Sequence, residues 1–203
     1  IAIRDMAKKF TTDYLRPLVQ DHFRNEKGPT RDIIREMGKV GLLGTMIPEK
    51  YGCAGASATA YGLVAREVES CDSGYRSTMS VQSSLVMWPI YCFGSEELKD
   101  RMLPRLGTGE LVGCFGLTEP DAGSDPAGMK TWARRDGDPD GTKGTDPDDA
   151  SEGAPDWILS GSKTWITNSP IADVFMVWAK VNIPDKKNPG KMRTTVRGFV
   201  LEK

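Results

Sequence analysis

The sequence predicts an α+β protein in which an all-helical first part is followed by a β-rich second part. Apolar residues recur near helical spacing from Ile3 to Leu18, and helical patterns continue to about residue 110. From Leu111 onward the apolar runs become short and strand-like. We therefore expect a helical domain over residues 1–110 and, over residues 111–203, an antiparallel β domain of barrel-like or sandwich form.

Five helices are predicted in the first part from this spacing and from their capping residues. They cover about residues 3–18, 30–41, 56–70, 75–91 and 95–107. Pro17 is expected to kink or break the first helix, because proline lacks a backbone N–H donor. Thr30 and Ser95 are the expected N-caps of the second and fifth helices, since a hydroxyl oxygen there accepts a bond from the first helical turn.

Six apolar runs predict the strands of the second part. They are Leu111–Leu117, Met129–Ala133, Trp157–Leu159, Thr164–Ile166, Val174–Ala179 and Thr195–Leu201. Between the second and third runs, residues 136–156 contain eight acids and one lysine, and we interpret them as a solvated loop insertion. The loop begins like an EF-hand, but Pro147 stands where the twelfth position requires a bidentate glutamate, so no metal site is expected.

Composition narrows the possible functions. With 203 residues, a net charge of −1 and no dense Lys/Arg cluster, the chain lacks the charge pattern of a nucleic-acid-binding protein. No apolar run approaches the ~20 residues that cross a bilayer, so no membrane insertion is expected. The four cysteines lack Cys-x-x-Cys spacing, and we expect them to be reduced and mostly buried. His22 is the only histidine, which makes a Ser-His-Asp or metal-histidine site hard to assemble.

The first segment with a functional signal is Cys114–Asp125, a strand that opens into a loop of small residues. Gly123 permits positive φ and close approach of the backbone to a ligand, and Ser124 beside it offers a hydroxyl and an amide. The segment's Thr-Glu-Pro turn is by itself an ordinary loop feature.

The second segment is Gly161–Asn168, about forty residues later. Strand alternation is expected to place Trp165 and Thr167 on one face, as an aromatic wall beside a hydroxyl. Alone, this segment is typical of an ordinary strand. Together the two segments indicate a site for a flat aromatic cofactor with a phosphate tail.

Both segments resemble the flavin-binding segments of the acyl-CoA dehydrogenase family, and the surrounding sequence is similar to the glutaryl-CoA dehydrogenase branch. The resemblance implies FAD as cofactor, and a fold in which a helical and a β domain meet a C-terminal helical domain that this chain lacks. The implied flavin contacts are Phe115, Leu117, Thr118, Trp165, Ile166 through its backbone and Thr167 near flavin N5, with Gly123 and Ser124 near the diphosphate. Ser124 is also implied to lie near the pantetheine of acyl-CoA.

The branch signal lies in residues 67–82, and its centre is Arg76. A guanidinium on an otherwise apolar helix is costly unless it meets an anion, and bidentate pairing with a carboxylate would satisfy it. The resemblance implies that Arg76 binds the distal carboxylate of glutaryl-CoA, with Ser77, Ser80 and Glu69 shaping the pocket. The residues alone leave a second interpretation open, a structural salt bridge from Arg76 to Glu69.

The implied reaction removes the α-proton of the acyl thioester while hydride leaves the β-carbon for flavin N5. With glutaryl-CoA the intermediate then loses carbon dioxide and gives crotonyl-CoA, and an electron-transfer flavoprotein reoxidises the flavin. The catalytic glutamate of the family belongs to the domain that this chain lacks, so no catalytic residue is assigned. Glu119 resembles a structural acid of its turn. The resemblance further implies a homotetramer, in the mitochondrial matrix of a eukaryote or the cytoplasm of a bacterium.

Two other functions remain compatible with the sequence. The substrate could be a straight or branched monocarboxyl acyl-CoA, or the chain could be a non-catalytic homologue that binds acyl-CoA weakly or pairs with full-length subunits. The helical pattern is already under way at Ile3, and the chain stops on the strand-like Phe199–Leu201. We therefore expect the native protein to extend beyond both ends, and this fragment alone to be inactive.

Overall fold

A computed structural model describes residues 2–138, 156–185, 187–188 and 190–203. The contacts within the chain divide it into two units. The helical unit comprises Ile1–Phe115, Thr167–Phe175 and Glu202–Lys203, and the sheet unit comprises Gly116–Ile166 and Met176–Leu201. The helical unit therefore includes a short segment from the second part of the chain.

The described part of the helical unit contains seven α-helices. They are α1 (Ala2–Phe10), α2 (Arg16–Arg24), α3 (Arg31–Lys39), α4 (Ala58–Glu69), α5 (Ser73–Ser80), α6 (Trp88–Phe93) and α7 (Glu96–Gly107). A π-helical turn, Thr11–Leu15, joins α1 to α2, and a second one, Val81–Met87, joins α5 to α6. Helices are thus present at all five predicted positions, and the first and fourth are longer than the sequence indicated.

The capping residues behave as predicted, and at Pro17 the helix does not break. The Thr30 hydroxyl accepts a hydrogen bond from the Ile33 amide at 3.4 Å, and the Ser95 hydroxyl accepts one from the Leu98 amide at 3.2 Å. Pro17 lies in the first turn of α2, directly after a π-helical turn, and the helical path continues through it. The π-helical turn directly before Pro17 is the kind of irregularity at which a continuing helix accommodates a proline.

Apolar side chains from several helices form the core of the helical unit. They include Ala7, Leu15, Ile33, Ile34, Met37, Leu42, Leu43, Val64, Val68, Tyr75, Met79 and Val112. Helix α4 packs against both α1 and α5. Since α5 carries Arg76, Ser77 and Ser80, this packing fixes the helix on which the sequence places the acyl-CoA pocket.

A single buried amide connects three parts of the helical unit. The side-chain N–H groups of Gln82 donate to the carbonyls of Leu106 at 2.9 Å and Leu111 at 2.8 Å, and its oxygen accepts from the Gly113 amide at 2.7 Å. Gln82 is fully buried, so water cannot replace these bonds. The end of α7 and the start of the first strand are thereby held to the helix that follows α5.

Five strands are described. They are β1 (Gly113–Gly116), β2 (Trp132–Arg135), β3 (Trp157–Ser160), β4 (Val174–Pro184) and β5 (Met192–Glu202). The sheet order is β1-β4-β2-β3, and β5 also pairs with β4. β2 and β3 are antiparallel, with Trp132 opposite Ser160, whereas β2 and β4 are parallel, with Trp132 opposite Lys180. A helical part followed by a β part is confirmed, but the sheet is mixed rather than wholly antiparallel.

The strand predicted at Thr164–Ile166 is wrong. Residues 161–166 form no strand, and Trp165 has a positive φ of 58°. The segment follows β3 directly and is drawn into a turn by its own hydrogen bonds to the Cys114–Asp125 segment, so the alternation of faces does not apply to Trp165 and Thr167.

The cysteines are less buried than the sequence predicted. All four are free, but only Cys114 is buried, while Cys53 and Cys71 are half-buried and Cys92 is exposed. The spacing of cysteines along the chain carries no information about their burial, which is why the prediction failed.

The predicted acidic loop is described only at its two ends, where the Asp136 amide donates to the Asp156 carbonyl at 2.8 Å. The EF-hand-like positions from 139 to 155 lie outside the described residues. In the described part of the chain, no helix combines the length and the apolar character needed to span a membrane.

Replacing Gln82 by methionine tests the buried amide. Gln82→Met has a similar shape but removes a hydrogen-bond partner from the Leu106 and Leu111 carbonyls and from the Gly113 amide, so we expect the free energy of unfolding to fall by roughly 2–4 kcal/mol. Gln20→Met, on the exposed face of α2, is the matched control and should change it by less than about 0.5 kcal/mol. Urea unfolding measures both variants, and equal effects would contradict the role of Gln82.

Candidate functional site

Within the sheet unit, residues from the two sequence segments singled out above lie side by side. The Thr164 amide donates to the Thr118 carbonyl at 2.9 Å. The Lys163 ammonium donates to the Leu117 carbonyl at 3.1 Å. The structure therefore brings together Leu117 and Thr118 from the first segment with the residues just before Trp165 in the second.

Glu119 is the centre of this contact. Its side chain is 5% exposed and accepts hydrogen bonds from the Lys163 ammonium at 2.8 Å, the Thr131 amide at 2.9 Å and the Lys130 amide at 2.5 Å. The Thr131 hydroxyl donates to it as well. Burial alone would raise its pKa, but these donors prevail and lower the pKa from 4.5 to about 2. A carboxylate engaged in this way is a structural anion, as its resemblance to a structural acid of the turn predicted, and it is a poor proton acceptor.

Lys163 is a residue that the sequence analysis missed. Its side chain is 11% exposed and it forms the ion pair with Glu119. The one sequence signal was that it is the only charged residue in Gly161–Asn168. Burial of a lysine requires an anion, and the candidate anion stood 44 residues earlier in the chain.

Trp165 is presented to solvent by a strained turn. Its side chain is 89% exposed, and its φ of 58° is rare for a bulky residue. The turn begins at Gly161, also at positive φ, where any Cβ would lie 2.7 Å from the Cα of Thr131. The Trp165 ring makes few contacts within the chain, and its backbone conformation is energetically unfavourable. Such a residue is a candidate for contact with a ligand.

Gly123 and Ser124 follow the tight turn in which the Glu119 and Ala122 backbones exchange two hydrogen bonds. Both residues are exposed. Gly123 does not adopt the positive φ that the sequence analysis allowed for, and a Cβ there would meet no atom within 4 Å. Since the chain itself does not require glycine at this position, the open space is available to a ligand. Among the described residues, the Ser124 and Thr118 hydroxyls make no hydrogen bond.

Phe115 and Thr167 belong to the helical unit rather than the sheet unit. Phe115 is half-buried in β1. Thr167 lines a cleft of about 650 Å³ in the helical unit, together with Ser77 and Thr78 of α5. The cleft therefore joins a predicted cofactor residue, Thr167, and a predicted substrate residue, Ser77.

Asn168 secures Thr167 within the helical unit, and the sequence analysis gave it no role. It has a φ of 70°, which asparagine tolerates better than most residues. Its side chain is 9% exposed and donates to the Gly113 carbonyl at 3.1 Å. The signal that could have identified it is an asparagine directly before a serine-proline pair, a typical place for a left-handed residue.

Arg76 forms the salt bridge that the sequence left open as an alternative. Its Nε donates to a Glu69 oxygen at 2.5 Å, and both side chains are partly exposed. A hydrogen bond from Ser73 and the one from Arg76 lower the pKa of Glu69. Among the described residues, the two terminal amino groups of Arg76 make no hydrogen bond, so a guanidinium fork is still available to a ligand carboxylate.

Ser80 lies one turn after Arg76 on α5 and joins a chain of hydroxyls. The Tyr61 hydroxyl donates to Ser80 at 3.0 Å and accepts from Ser84 at 2.7 Å. Arg76, Ser80 and Glu69 are therefore close along α4 and α5, while Ser77 points into the cleft.

Comparison with known proteins identifies the family. Residues 1–110 match the family described as acyl-CoA dehydrogenase, N-terminal domain, and residues 114–203 match the acyl-CoA dehydrogenase, middle domain. The chain belongs to the acyl-CoA dehydrogenase family.

Three relatives illustrate the range of this similarity. An acyl-CoA dehydrogenase of Bacillus subtilis is 31% identical over 204 residues, covering 100% of this chain and 47% of the relative. A glutaryl-CoA dehydrogenase from Mycobacterium smegmatis in complex with FADH2 is 42% identical with a TM-score of 0.82, covering 99% of this chain and 44% of that one. The butyryl-CoA dehydrogenase of Megasphaera elsdenii is 31% identical with a TM-score of 0.76, covering 99% and 47%. The chain spans a little under half the length of these three relatives.

The buried Glu119 predicts how the stability of this chain depends on pH. Because its folded pKa lies below its usual 4.5, its contribution is complete above about pH 4.5 and is lost as the pH falls toward 2. This shift of the Glu119 pKa corresponds to on the order of 3 kcal/mol. We expect the free energy of unfolding to fall more steeply from about pH 5 to pH 3 in the wild type than in Glu119→Gln.

Urea titrations at stepped pH measure these slopes. Glu97→Gln, on the exposed first turn of α7, is the matched control and should keep the wild-type slope. Equal slopes in the wild type and Glu119→Gln would contradict the assignment of a structural anion.

The strained turn predicts an unusual effect of losing a tryptophan. Trp165→Gly removes few contacts and relieves the positive φ, so the free energy of unfolding should stay the same or rise by up to about 1 kcal/mol. Trp157→Gly is the control, because Trp157 packs on Arg135 and Phe199 in the same unit and its loss should cost roughly 3 kcal/mol or more. A large loss of stability in Trp165→Gly would show that the ring is held by its own chain.

Proposed function

We propose that this chain is part of an FAD-dependent acyl-CoA dehydrogenase whose substrate is glutaryl-CoA. The observation that supports the cofactor is the exposed aromatic ring of Trp165 on strained backbone. Hydrogen bonds between the two segments hold this residue near Leu117 and Thr118. The family match and the FADH2 held by the M. smegmatis relative support FAD.

The residues present in the sheet unit fit this cofactor. A flavin needs a flat apolar surface and polar groups for its ring edge, and its diphosphate needs backbone that can be closely approached. Trp165 supplies the surface, the Thr118 hydroxyl is unused by the described residues, and the space around Gly123 is open. Ile166 contributes backbone, and Ser124 a hydroxyl for the diphosphate or pantetheine. Bound FAD would supply the acceptor for the two electrons that leave the substrate.

The residues of α4 and α5 fit an acyl group that ends in a carboxylate. Arg76 keeps two amino groups available while Glu69 holds its Nε, and this preorganises the guanidinium for bidentate binding. Ser80 is oriented by Tyr61, and Ser77 faces the cleft that Thr167 also lines. These residues would bind and orient the substrate while excluding water from its reacting carbons.

The reaction we propose is loss of the α-proton and a β-hydride, followed by decarboxylation to crotonyl-CoA. Glu119 cannot serve as the base, because its four donors hold its pKa near 2. The proposal therefore takes the base from outside these 203 residues, as the family resemblance implies. Reoxidation by an electron-transfer flavoprotein and assembly as a homotetramer belong to the same proposal.

The second candidate is a dehydrogenase for a monocarboxyl acyl-CoA. It is favoured by the salt bridge itself, since Glu69 already supplies Arg76 with an anion, and by the similarity to butyryl-CoA dehydrogenase. The two candidates differ in whether Arg76 contacts the substrate.

Arg76→Gln separates the candidates. If Arg76 binds the distal carboxylate, kcat/KM for glutaryl-CoA should fall about 100-fold or more, because the carboxylate would be buried without its partner. Turnover of butyryl-CoA should change less than about threefold, since butyryl-CoA has no such carboxylate. Steady-state kinetics of the complete enzyme with both substrates measure this ratio.

Arg66→Gln is the matched control, because Arg66 is an exposed arginine on α4 that pairs with its neighbour Glu67. It should leave the ratio unchanged. Equal losses for both substrates in Arg76→Gln would assign Arg76 a structural role, and a wild-type enzyme that turns over only butyryl-CoA would favour the second candidate.

A further inference from the structure

The ion pair between Lys163 and Glu119 is deeply buried. The two side chains are 11% and 5% exposed, and their charged atoms are 2.8 Å apart. Lys163 also donates to the Leu117 carbonyl at 3.1 Å, so its ammonium bridges a side chain and a main-chain group of the first segment. The pair lies next to the candidate cofactor residues, yet neither member has been given a role in binding.

The pair controls the path of the chain into Trp165. Lys163 is two residues before the tryptophan, and the residue between them, Thr164, donates its amide to the Thr118 carbonyl at 2.9 Å. At the start of the turn, Gly161 lies against Thr131, which itself bonds to Glu119. Contacts of Gly161, Lys163 and Thr164 therefore hold the chain to the residues around Glu119 just before Trp165.

The energetics favour the ion pair as the dominant anchor. The left-handed backbone of Trp165 opposes this turn, and its exposed ring gains little to offset it. Loss of one member of a buried ion pair costs more than the strain of one such residue, whereas exposed pairs contribute far less. Lys130 and Asp121 form such an exposed pair near Glu119, on the loop between β1 and β2.

We propose that Lys163 is a positioning residue that, through Glu119 and the Leu117 carbonyl, holds Trp165 in the orientation that the cofactor requires. This inference rests on the proposed function, because it takes the ligand of Trp165 to be FAD. Lys163 does not touch the cofactor. Its effect is to keep the turn in its binding conformation before the cofactor arrives, which raises the fraction of competent molecules.

The test uses the complete enzyme and four variants. Lys163→Met and Glu119→Gln each remove one charge, and the double variant removes both and leaves no unpaired buried charge. Lys130→Met is the matched control, since it breaks the exposed pair on the same loop. Each protein is measured for thermal unfolding, for the Kd of FAD and, in the apoenzyme labelled with 5-fluorotryptophan, for the ¹⁹F resonance of Trp165.

The Trp165 resonance is assigned as the one that is missing from Trp165→Phe. We expect Lys163→Met and the double variant to shift or broaden it and to raise the Kd of FAD about tenfold, as when one molecule in ten keeps the bound conformation. The double variant should regain most of the unfolding temperature that the single variants lose, because it buries no lone charge. Lys130→Met should resemble the wild type in all three measurements.

If the double variant regains stability but not the wild-type Trp165 resonance or FAD affinity, the result supports a positioning role for Lys163. Recovery of all three together, wild-type behaviour of Lys163→Met, or failure of the double variant to fold would each overturn it and leave a structural role. If the wild type does not bind FAD, the proposed function fails, while the ¹⁹F spectrum of the apoenzyme still decides whether the pair orders Trp165.

Discussion

The sheet unit depends on the burial of one carboxylate. Glu119 accepts four hydrogen bonds, from two backbone amides, a hydroxyl and an ammonium, and these donors come from two separate parts of the chain, residues 130–131 and Lys163. A carboxylate buried without them would be strongly unfavourable, so the charge forces the segments around it into a single arrangement. The loop that carries Glu119 meets the start of β2 and the turn before Trp165 because those two segments supply the donors that this anion needs.

In the helical unit, the buried polar groups at the start of β1 are paired by neutral side-chain amides. Gly113, the first residue of β1, donates its amide to Gln82 and accepts at its carbonyl from Asn168. Two side-chain amides thus replace the sheet partners that a strand at its starting point lacks. A Cβ at Gly113 would lie 2.6 Å from Val86, so glycine is required for this close approach. The same two amides place Thr167 and α5 around one cleft, which explains why a predicted cofactor residue and a predicted substrate residue line it together.

Local signals in the sequence predicted the helices, their caps and the presence of two cooperating segments. Thr30 and Ser95 cap as expected because a cap depends on residues within one turn. The failures arise from distant contacts. Nothing local to Trp165 indicates a left-handed backbone, since the tether acts through Lys163 on a carboxylate 44 residues earlier. The parallel pairing of β2 with β4 is likewise set by residues almost fifty positions apart, while the Arg76–Glu69 bridge joins residues only seven positions apart and was within reach of the sequence.

The short ladder between β2 and β3 has the Glu119 cluster at one end and the acidic connection at the other. Trp132 pairs with Ser160 beside the Glu119 cluster, and Arg135 pairs with Trp157 where the acidic connection begins and ends. At about 3.3 Å per residue, these ends are roughly 10 Å apart. The connection can therefore lengthen or shorten over evolution without displacing the turn that carries Trp165. Insertions should accumulate at this end of the strands, and substitutions at the other end should be rare.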